Sequence, residues 1–259
     1  MKTIALLQVS TDDAETVESR IERVTALTKT WAAKSDWVVL PELWHVGAFS
    51  SELFENYALP TKNELVESFC EIAKANNTWI HFGSFIERHE KGISNTAVTI
   101  NNLGEIVSQY RKIHLFGFDQ GEAIMLSRGE KPAMISNTPI GVVGVSTCYD
   151  LRFPELYRAQ VDLGAQTFVI ASGWPTPRIS HWRTLNTARA IENQAWVIAC
   201  NQVGQNNDYT LGGNSMVINP MGEVIGELGL TQDVLVVQID VSDATNWRDK
   251  FPVLKDRVL

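Results

Sequence analysis

The sequence predicts an α/β fold whose sheets carry helices on one face, and three observations point to it. Short apolar, β-branched runs alternate with longer stretches of helical period; some runs meet at hairpin tips; and one tip, INNLGEI at 100–106, is echoed by INPMGEV at 218–224. Strands joined through helices pair in parallel, whereas hairpins add antiparallel strands, so the sheets are mixed. Two such α/β halves about an internal pseudo-twofold axis, stacked sheet against sheet, give a four-layer α-β-β-α sandwich. The pattern alone also permits a three-layer doubly wound sheet. The echoed tips equally fit two hairpins that converged on Asn and Gly because tight turns favour them.

Taken in order, the first half reads as strand TIALLQVS, helix AETVESRIERVTALTKTWAA, strand DWVVLPEL, helix NELVESFCEIAKANN and strand WIHFGSFIER. A hairpin, NTAVTINNLGEIVSQYRKIHLF, follows and stays extended to about Phe116. The second half repeats the scheme with GVVGVSTC, a helix from Pro154, AQTFVIAS, a helix in HWRTLNTARAIENQ, AWVIACNQV, and a hairpin in GNSMVINPMGEVIGELG. VLVVQID is the last strand.

A chain of 259 residues, 44% apolar, is expected to form a single domain over 1–259. Thirty acidic residues against 22 basic ones leave a net charge of -8 with neither sign in a long block, which argues against nucleic acid as a partner. The opening MKTIALLQVSTDDAE meets two aspartates without a small-residue cleavage site, and no segment has the roughly 18 uninterrupted apolar residues of a membrane span. No membrane association and a cytoplasmic location are expected. Cys70, Cys148 and Cys200 make an odd count without metal-ligand spacing, so neither disulfides nor zinc is expected. Cys70 and Cys200 read as small buried hydrophobes.

Ligands of α/β proteins gather beyond strand ends. Three polar residues stand at such ends: Glu42 in VVLPELW, Lys112 in YRKIHLF and Cys148 in VSTCYDL. Taken singly, Glu42 and Lys112 read as solvated charges and Cys148 as a buried thiol. Together they supply what a thiol nucleophile needs. A thiol of pKa ~8.5 is mostly protonated at neutral pH, and requires a base or a cation close by. The strand before Cys148 delivers it to a turn, and Pro154 suits the first position of the helix that follows. Residues 149–153 separate Cys148 from that helix, so little help from a helix dipole is expected. In this scheme Glu42 takes the thiol proton, sulfur attacks an amide carbonyl, and the oxyanion is met by Lys112 and the backbone N–H of Tyr149. A dyad of Cys148 with His114 lacks any supporting motif, and His181 reads as a structural histidine.

LPELW, YRKIHLF and STCYDLRFPEL together resemble the nitrilase superfamily of carbon-nitrogen hydrolases, in order and spacing over nearly the whole chain. The resemblance implies the four-layer sandwich, with Glu42 as general base, Lys112 as oxyanion stabiliser and Cys148 as nucleophile. It implies a second glutamate, Glu122 in FDQGEAIMLSRGE, that holds Lys112. It implies a homodimer to which the helix at 154–164 and the C-terminal strand and tail contribute, and no cofactor or metal. SGWPTPRISHWRTLNTARAIENQAWVIACNQVG and WRDKFPVLKD look most like the bacterial omega-amidase branch, whose substrates are short omega-amides of 2-oxo dicarboxylic acids. A carbamoyl amino-acid hydrolase, a deaminated-glutathione amidase, a nitrilase, an acyl transferase and a non-catalytic binding member of the fold are the alternatives. A substrate carboxylate needs a local cation in so acidic a chain; Arg152 and Arg178 are the candidates, and Trp174 is a candidate wall of the acyl pocket.

Overall fold

The computed structural model describes residues 1–258. The first half runs β1 (Lys2–Gln8), β2 (Ser10–Asp12), α1 (Val17–Ala32), β3 (Trp37–Val39), α2 (Glu64–Asn76), β4 (Trp79–His89), β5 (Gly92–Ile100) and β6 (Ile106–Arg111). The second half opens with α3 (Glu122–Met125), β7 (Ala133–Thr138), β8 (Gly141–Thr147), α4 (Pro154–Asp162), β9 (Thr167–Ala171) and α5 (Ile179–Asn193). It continues with β10 (Trp196–Cys200), β11 (Val203–Asn206), β12 (Tyr209–Gly212), β13 (Met216–Ile218), β14 (Val224–Glu227), β15 (Asp233–Ile239) and α6 (Ser242–Lys250).

Two six-stranded sheets, ordered β15-β1-β3-β4-β5-β6 and β14-β13-β10-β9-β8-β7, carry the same plan. Each has three parallel strands at its centre, an antiparallel hairpin on one side and a single antiparallel strand on the other. The C-terminal β15 lies beside β1 as β7 lies beside β8. The pseudo-twofold extends to the echoed tips, which join β5 to β6 and β13 to β14. In each tip an asparagine Oδ1 accepts from the N–H groups two and four residues on, Asn101 from Leu103 and Glu105, Asn219 from Met221 and Glu223. Gly104 and Gly222 take the left-handed turn position, at φ +80° and +89°.

Side chains alternate across the sheets, and both faces are apolar because both are covered. From β1, Ile4 and Leu6 enter the core between the sheets, while Ala5 and Leu7 face α1 and α2. From β10, Trp196, Ile198 and Cys200 enter the inter-sheet core, while Val197 and Ala199 pack with α4 and α5. The result is the four-layer α-β-β-α sandwich and excludes the three-layer arrangement. Cys200 is wholly buried there, whereas Cys70 on α2 is only half-buried.

Two features lay outside the expectations. A third, three-stranded sheet, β12-β11-β2, ties the two halves together, and α6 follows the last strand. The chain also leaves its strand after Arg111 instead of staying extended to Phe116. Side-chain acceptors capture its amides there: His114 N–H donates to Asp150 Oδ1 at 3.0 Å and Phe116 N–H to Glu122 Oε2 at 3.0 Å. No helix among the described residues is long and apolar enough to cross a membrane.

Candidate active site

Glu42, Lys112 and Cys148 arrive from three strand ends. Glu42 lies three residues beyond β3, where Leu40 N–H still donates to the His81 carbonyl at 2.9 Å and Pro41 then has no N–H to continue the ladder. Gly83 on the neighbouring β4 makes this path possible, since a Cβ there would stand 1.8 Å from the Pro41 carbonyl oxygen. Leu43 N–H is held by Ser84 Oγ at 3.0 Å, and Gln202 Nε2 donates to the Glu42 carbonyl. Lys112 follows β6 directly, with its N–H on the Asn95 carbonyl at 2.9 Å. Arg111, on the other side of the strand, turns away to Glu87.

Cys148 follows β8 and opens a five-residue 3-10 turn, Cys148–Arg152, before α4 begins at Pro154. The thiol therefore does sit on a helical first turn, though a very short one. Its φ of +47° is a left-handed conformation that few non-glycine residues adopt, and such strain clusters at functional turns. Asp150, wholly buried, fixes this turn to the lysine segment: its Oδ2 accepts from Thr147 N–H at 3.0 Å and Tyr110 Oη–H at 2.7 Å, its Oδ1 from His114. His114 is thereby engaged with Asp150 and stacked on Phe153 at 3.7 Å, which removes it as a partner for the thiol. Tyr149 is the second residue of the turn, where a backbone N–H has no acceptor within the helix.

The charges meet in the interior. Lys112 Nζ lies 2.6 Å from Glu42 Oε1 and 2.7 Å from Glu122 Oε2, with all three side chains buried. Gly173 N–H, just beyond β9 in the other sheet, donates to Glu42 Oε2 at 2.9 Å. Asn95 on β5 donates to both glutamates, at 2.9 and 2.7 Å. Burial alone would lower the Lys112 pKa, but Glu122 and Glu42 outweigh it and hold the ammonium well above its ordinary range. Burial pushes the Glu122 carboxyl up despite Lys112. The Cys148 thiol is pushed up by burial and by Glu42, against a smaller opposite pull from Lys112 and the Ser172 hydroxyl. A resting thiol, not a thiolate, follows.

One cavity of about 420 Å³ is lined by all eight residues singled out in the sequence: Glu42, Lys112, Glu122, Cys148, Tyr149, Arg152, Trp174 and Arg178. The pattern of the carbon-nitrogen hydrolase family matches residues 3–249. The chain belongs to the carbon-nitrogen hydrolase family. It is a hydrolase acting on carbon-nitrogen bonds. It is 36% identical over 261 residues to a 2-oxoglutaramate amidase of Paenarthrobacter nicotinovorans, a match that covers 98% of this chain and 88% of that protein. It is 33% identical to the 2-oxoglutaramate amidase of Bacillus subtilis, covering 98% of this chain and 96% of the relative. Among solved structures, a CN-hydrolase superfamily protein of Xanthomonas campestris with an arsenic adduct in its active site superposes with a TM-score of 0.91 at 28% identity, over 100% of this chain and 97% of the other.

In this carbon-nitrogen hydrolase, Trp174 is buried, donates Nε1–H to the Arg178 carbonyl at 2.7 Å and packs on Trp182. It both packs and forms cavity wall. Arg152 lies 4.6 Å from the Trp174 ring centre, with Nη1 3.3 Å from Nδ1 of the exposed His181. Arg178 lies over Phe116 at 5.6 Å. Neither arginine has a carboxylate partner within 4.0 Å among the described residues, although Glu52 and Asp208 line the same cavity. Sequence reasoning missed Asn95, the Gly173 N–H, and an aromatic rim in which Phe49 stacks on Tyr209 at 4.0 Å. Tyr209 reaches the cavity on the small third sheet.

Proposed function

We propose that this hydrolase is a cysteine-dependent omega-amidase. It converts small 2-oxo dicarboxylic acid monoamides, such as 2-oxoglutaramate and 2-oxosuccinamate, to the 2-oxo acid and ammonia. The observation that carries the reading is a single cavity that joins a thiol, two carboxylates and a lysine to two guanidiniums without carboxylate partners. The amidase relatives named above support the substrate class.

The steps follow from the protonation states. Because the resting thiol holds its proton, attack requires a base, and Glu42 takes that proton as sulfur bonds to the amide carbon. The carbonyl π electrons move to oxygen, where the Lys112 ammonium and the Tyr149 N–H receive the charge. Lys112 has three hydrogens and gives two to Glu42 and Glu122, which leaves one for this oxyanion. Protonated Glu42 passes its proton to the departing nitrogen, the carbon-nitrogen bond breaks, and ammonia leaves a thioester. Water then attacks the thioester carbon while Glu42 takes its proton. Collapse expels the Cys148 sulfur, which recovers the proton from Glu42, and the acid is released. Lys112 stays charged throughout, and Glu122 holds it in place.

Arg152 and Arg178 receive the substrate's terminal carboxylate. Two guanidiniums facing one cavity repel each other, and an anion between them relieves both, while an arginine fork binds a carboxylate through two parallel hydrogen bonds. Trp174 keeps Arg152 in place from behind. The same reading carries a cytoplasmic homodimer formed through α4 and the C-terminal segment, consistent with the exposed Leu163 and Phe251.

Ammonia release is to be measured with 2-oxoglutaramate, 2-oxosuccinamate, glutamine, a carbamoyl amino acid and an aliphatic nitrile. Turnover of the two oxo-amides far above the others is the expected result. Turnover confined to the nitrile or the carbamoyl compound would sink the reading.

A further inference from the structure

Asn95 is wholly buried on β5 and contacts every charged member of the cluster. Its two Nδ2 hydrogens go one to Glu42 Oε1 at 2.9 Å and one to Glu122 Oε1 at 2.7 Å. Its backbone carbonyl accepts from Lys112 N–H at 2.9 Å. Its own Oδ1 has no hydrogen-bond partner. The reversed amide would press that oxygen against two carboxylate oxygens, so the chemistry of its neighbours fixes the orientation.

Counting donors shows what this arrangement does to Glu42. Its Oε1 receives Asn95 Nδ2 and Lys112 Nζ, while its Oε2 receives only the Gly173 N–H, at 2.9 Å. A carboxylate oxygen accepts about two hydrogen bonds, so Oε1 is filled and Oε2 keeps one acceptor position. Gly173 lines the same cavity as Cys148, so the Glu42 Oε2 that it holds lies on the side of the thiol. Two carboxylates also share a single lysine here, an arrangement in which like charges favour proton uptake by one of them. Two neutral N–H donors, one on each carboxylate, oppose that uptake without adding charge.

We infer that Asn95 is a positioning residue, which bridges Glu42 and Glu122 so that Glu42 stays an acceptor and presents Oε2 to the reacting groups. The inference rests on the general-base reading of Glu42 given above. Asn95 touches no substrate and acts only through the two glutamates.

The test compares Asn95→Ala and Asn95→Ser with the unaltered enzyme, in kcat and KM for 2-oxoglutaramate from pH about 5 to about 9. Asn95→Ala is expected to lose about 100-fold in kcat with KM changed less than about 3-fold. Removing donors from an ionised carboxylate disfavours the ionised form, so the acid limb of the profile moves up by about one pH unit. Asn95→Ser, which keeps one donor, falls between. The acid limb for alkylation of Cys148 by iodoacetamide, which needs no substrate, moves the same way. An unmoved acid limb in both variants overturns the inference, whether or not their melting temperatures fall. Should neither variant fold, amide exchange in the 15N-asparagine-labelled parent enzyme decides: slow exchange of both Asn95 Nδ2 hydrogens is expected, and exchange at the rate of an exposed amide overturns it. Glu42→Gln, run alongside, separates the two readings, because normal rates there refute the general-base reading itself, whereas activity lost there with an unmoved acid limb in the Asn95 variants overturns the Asn95 inference alone.

Discussion

Lys112 Nζ and Glu42 Oε1 lie 2.6 Å apart with both side chains out of solvent, and Glu122 closes on the same ammonium from 2.7 Å. One cation therefore balances two buried carboxylates, with Asn95 and two backbone N–H groups completing their hydrogen bonds. The cluster is an electrostatic device, and it also bears on stability.

Lys112→Met keeps length and volume but strands both glutamates. Removing one partner of a buried charge pair typically costs about 3–5 kcal/mol. Burial already pushes the Glu122 carboxyl up against the pull of Lys112, and with that pull removed its folded pKa stands further above the unfolded one. Stability of that kind is present at acid pH and is lost as pH rises. Urea denaturation is expected to show a gap between parent and variant that widens from pH about 5 to about 8. A gap independent of pH would show that the two carboxylates are not stranded.

Cys148→Ala and Cys148→Gly separate catalysis from backbone strain. Both remove the proposed nucleophile, so both are expected to lose at least about 10⁴-fold in activity. Cys148 has a φ of +47°, a conformation that favours glycine. Cys148→Gly should therefore resist unfolding better than Cys148→Ala by about 1 kcal/mol, despite its smaller side chain. Equal stabilities would mean that the turn relaxes in the variants and stores no strain.

The convergence of Glu42, Lys112 and Cys148 on one cavity was legible because each is a chemically distinctive side chain at the end of an apolar strand, and the sandwich because its strands and helices have local periods. The remainder had no such local sign. Asn95 sits in SNTAVTI, where an asparagine reads as a turn residue, and only its placement between two glutamates 27 and 53 residues away gives it a role. The Gly173 and Phe116 N–H groups carry no side-chain signature at all. β2 pairs with β11 across more than half the chain, through strands of three and four residues, too short to show an alternation. Pattern also could not choose between three layers and four. That choice depends on whether both faces of each sheet are covered, as the split of Ile4 and Leu6 from Ala5 and Leu7 shows.

Arg152→Ala and Arg178→Ala test where the substrate carboxylate binds. A charge-assisted hydrogen bond contributes about 1.5–3 kcal/mol, so each loss is expected to raise KM about 10- to 100-fold with a smaller effect on kcat. Lysine should restore little at either site, since it lacks the planar fork that meets a carboxylate with two bonds. Steady-state kinetics on 2-oxoglutaramate and on an uncharged short amide check this directly. Equal losses on both substrates would assign the arginines to bracing the turn and the Trp174 wall.

His45 lies three residues beyond Glu42, fully buried, with no partner for either ring nitrogen. Burial, and then the Arg20 guanidinium that donates to its carbonyl at 3.2 Å, pushes its pKa down to about 3. The folded pKa thus lies below the unfolded value of about 6.5, so the unfolded chain gains a proton that the folded chain refuses. Stability is full above about pH 6.5 and falls as the pH drops toward the folded value. His81, also buried and pushed down to about 3, adds a second contribution of the same sign. His45→Leu removes the first while leaving no unpaired polar atom, a change that is near neutral when nothing else is orphaned. Its melting temperature is expected to match the parent near pH 8 and to exceed it by roughly 5 °C near pH 5, corresponding to about 2 kcal/mol. Parallel melting curves across that range would mean that His45 takes up its proton in the folded protein, and that the Glu42 segment opens to let it do so.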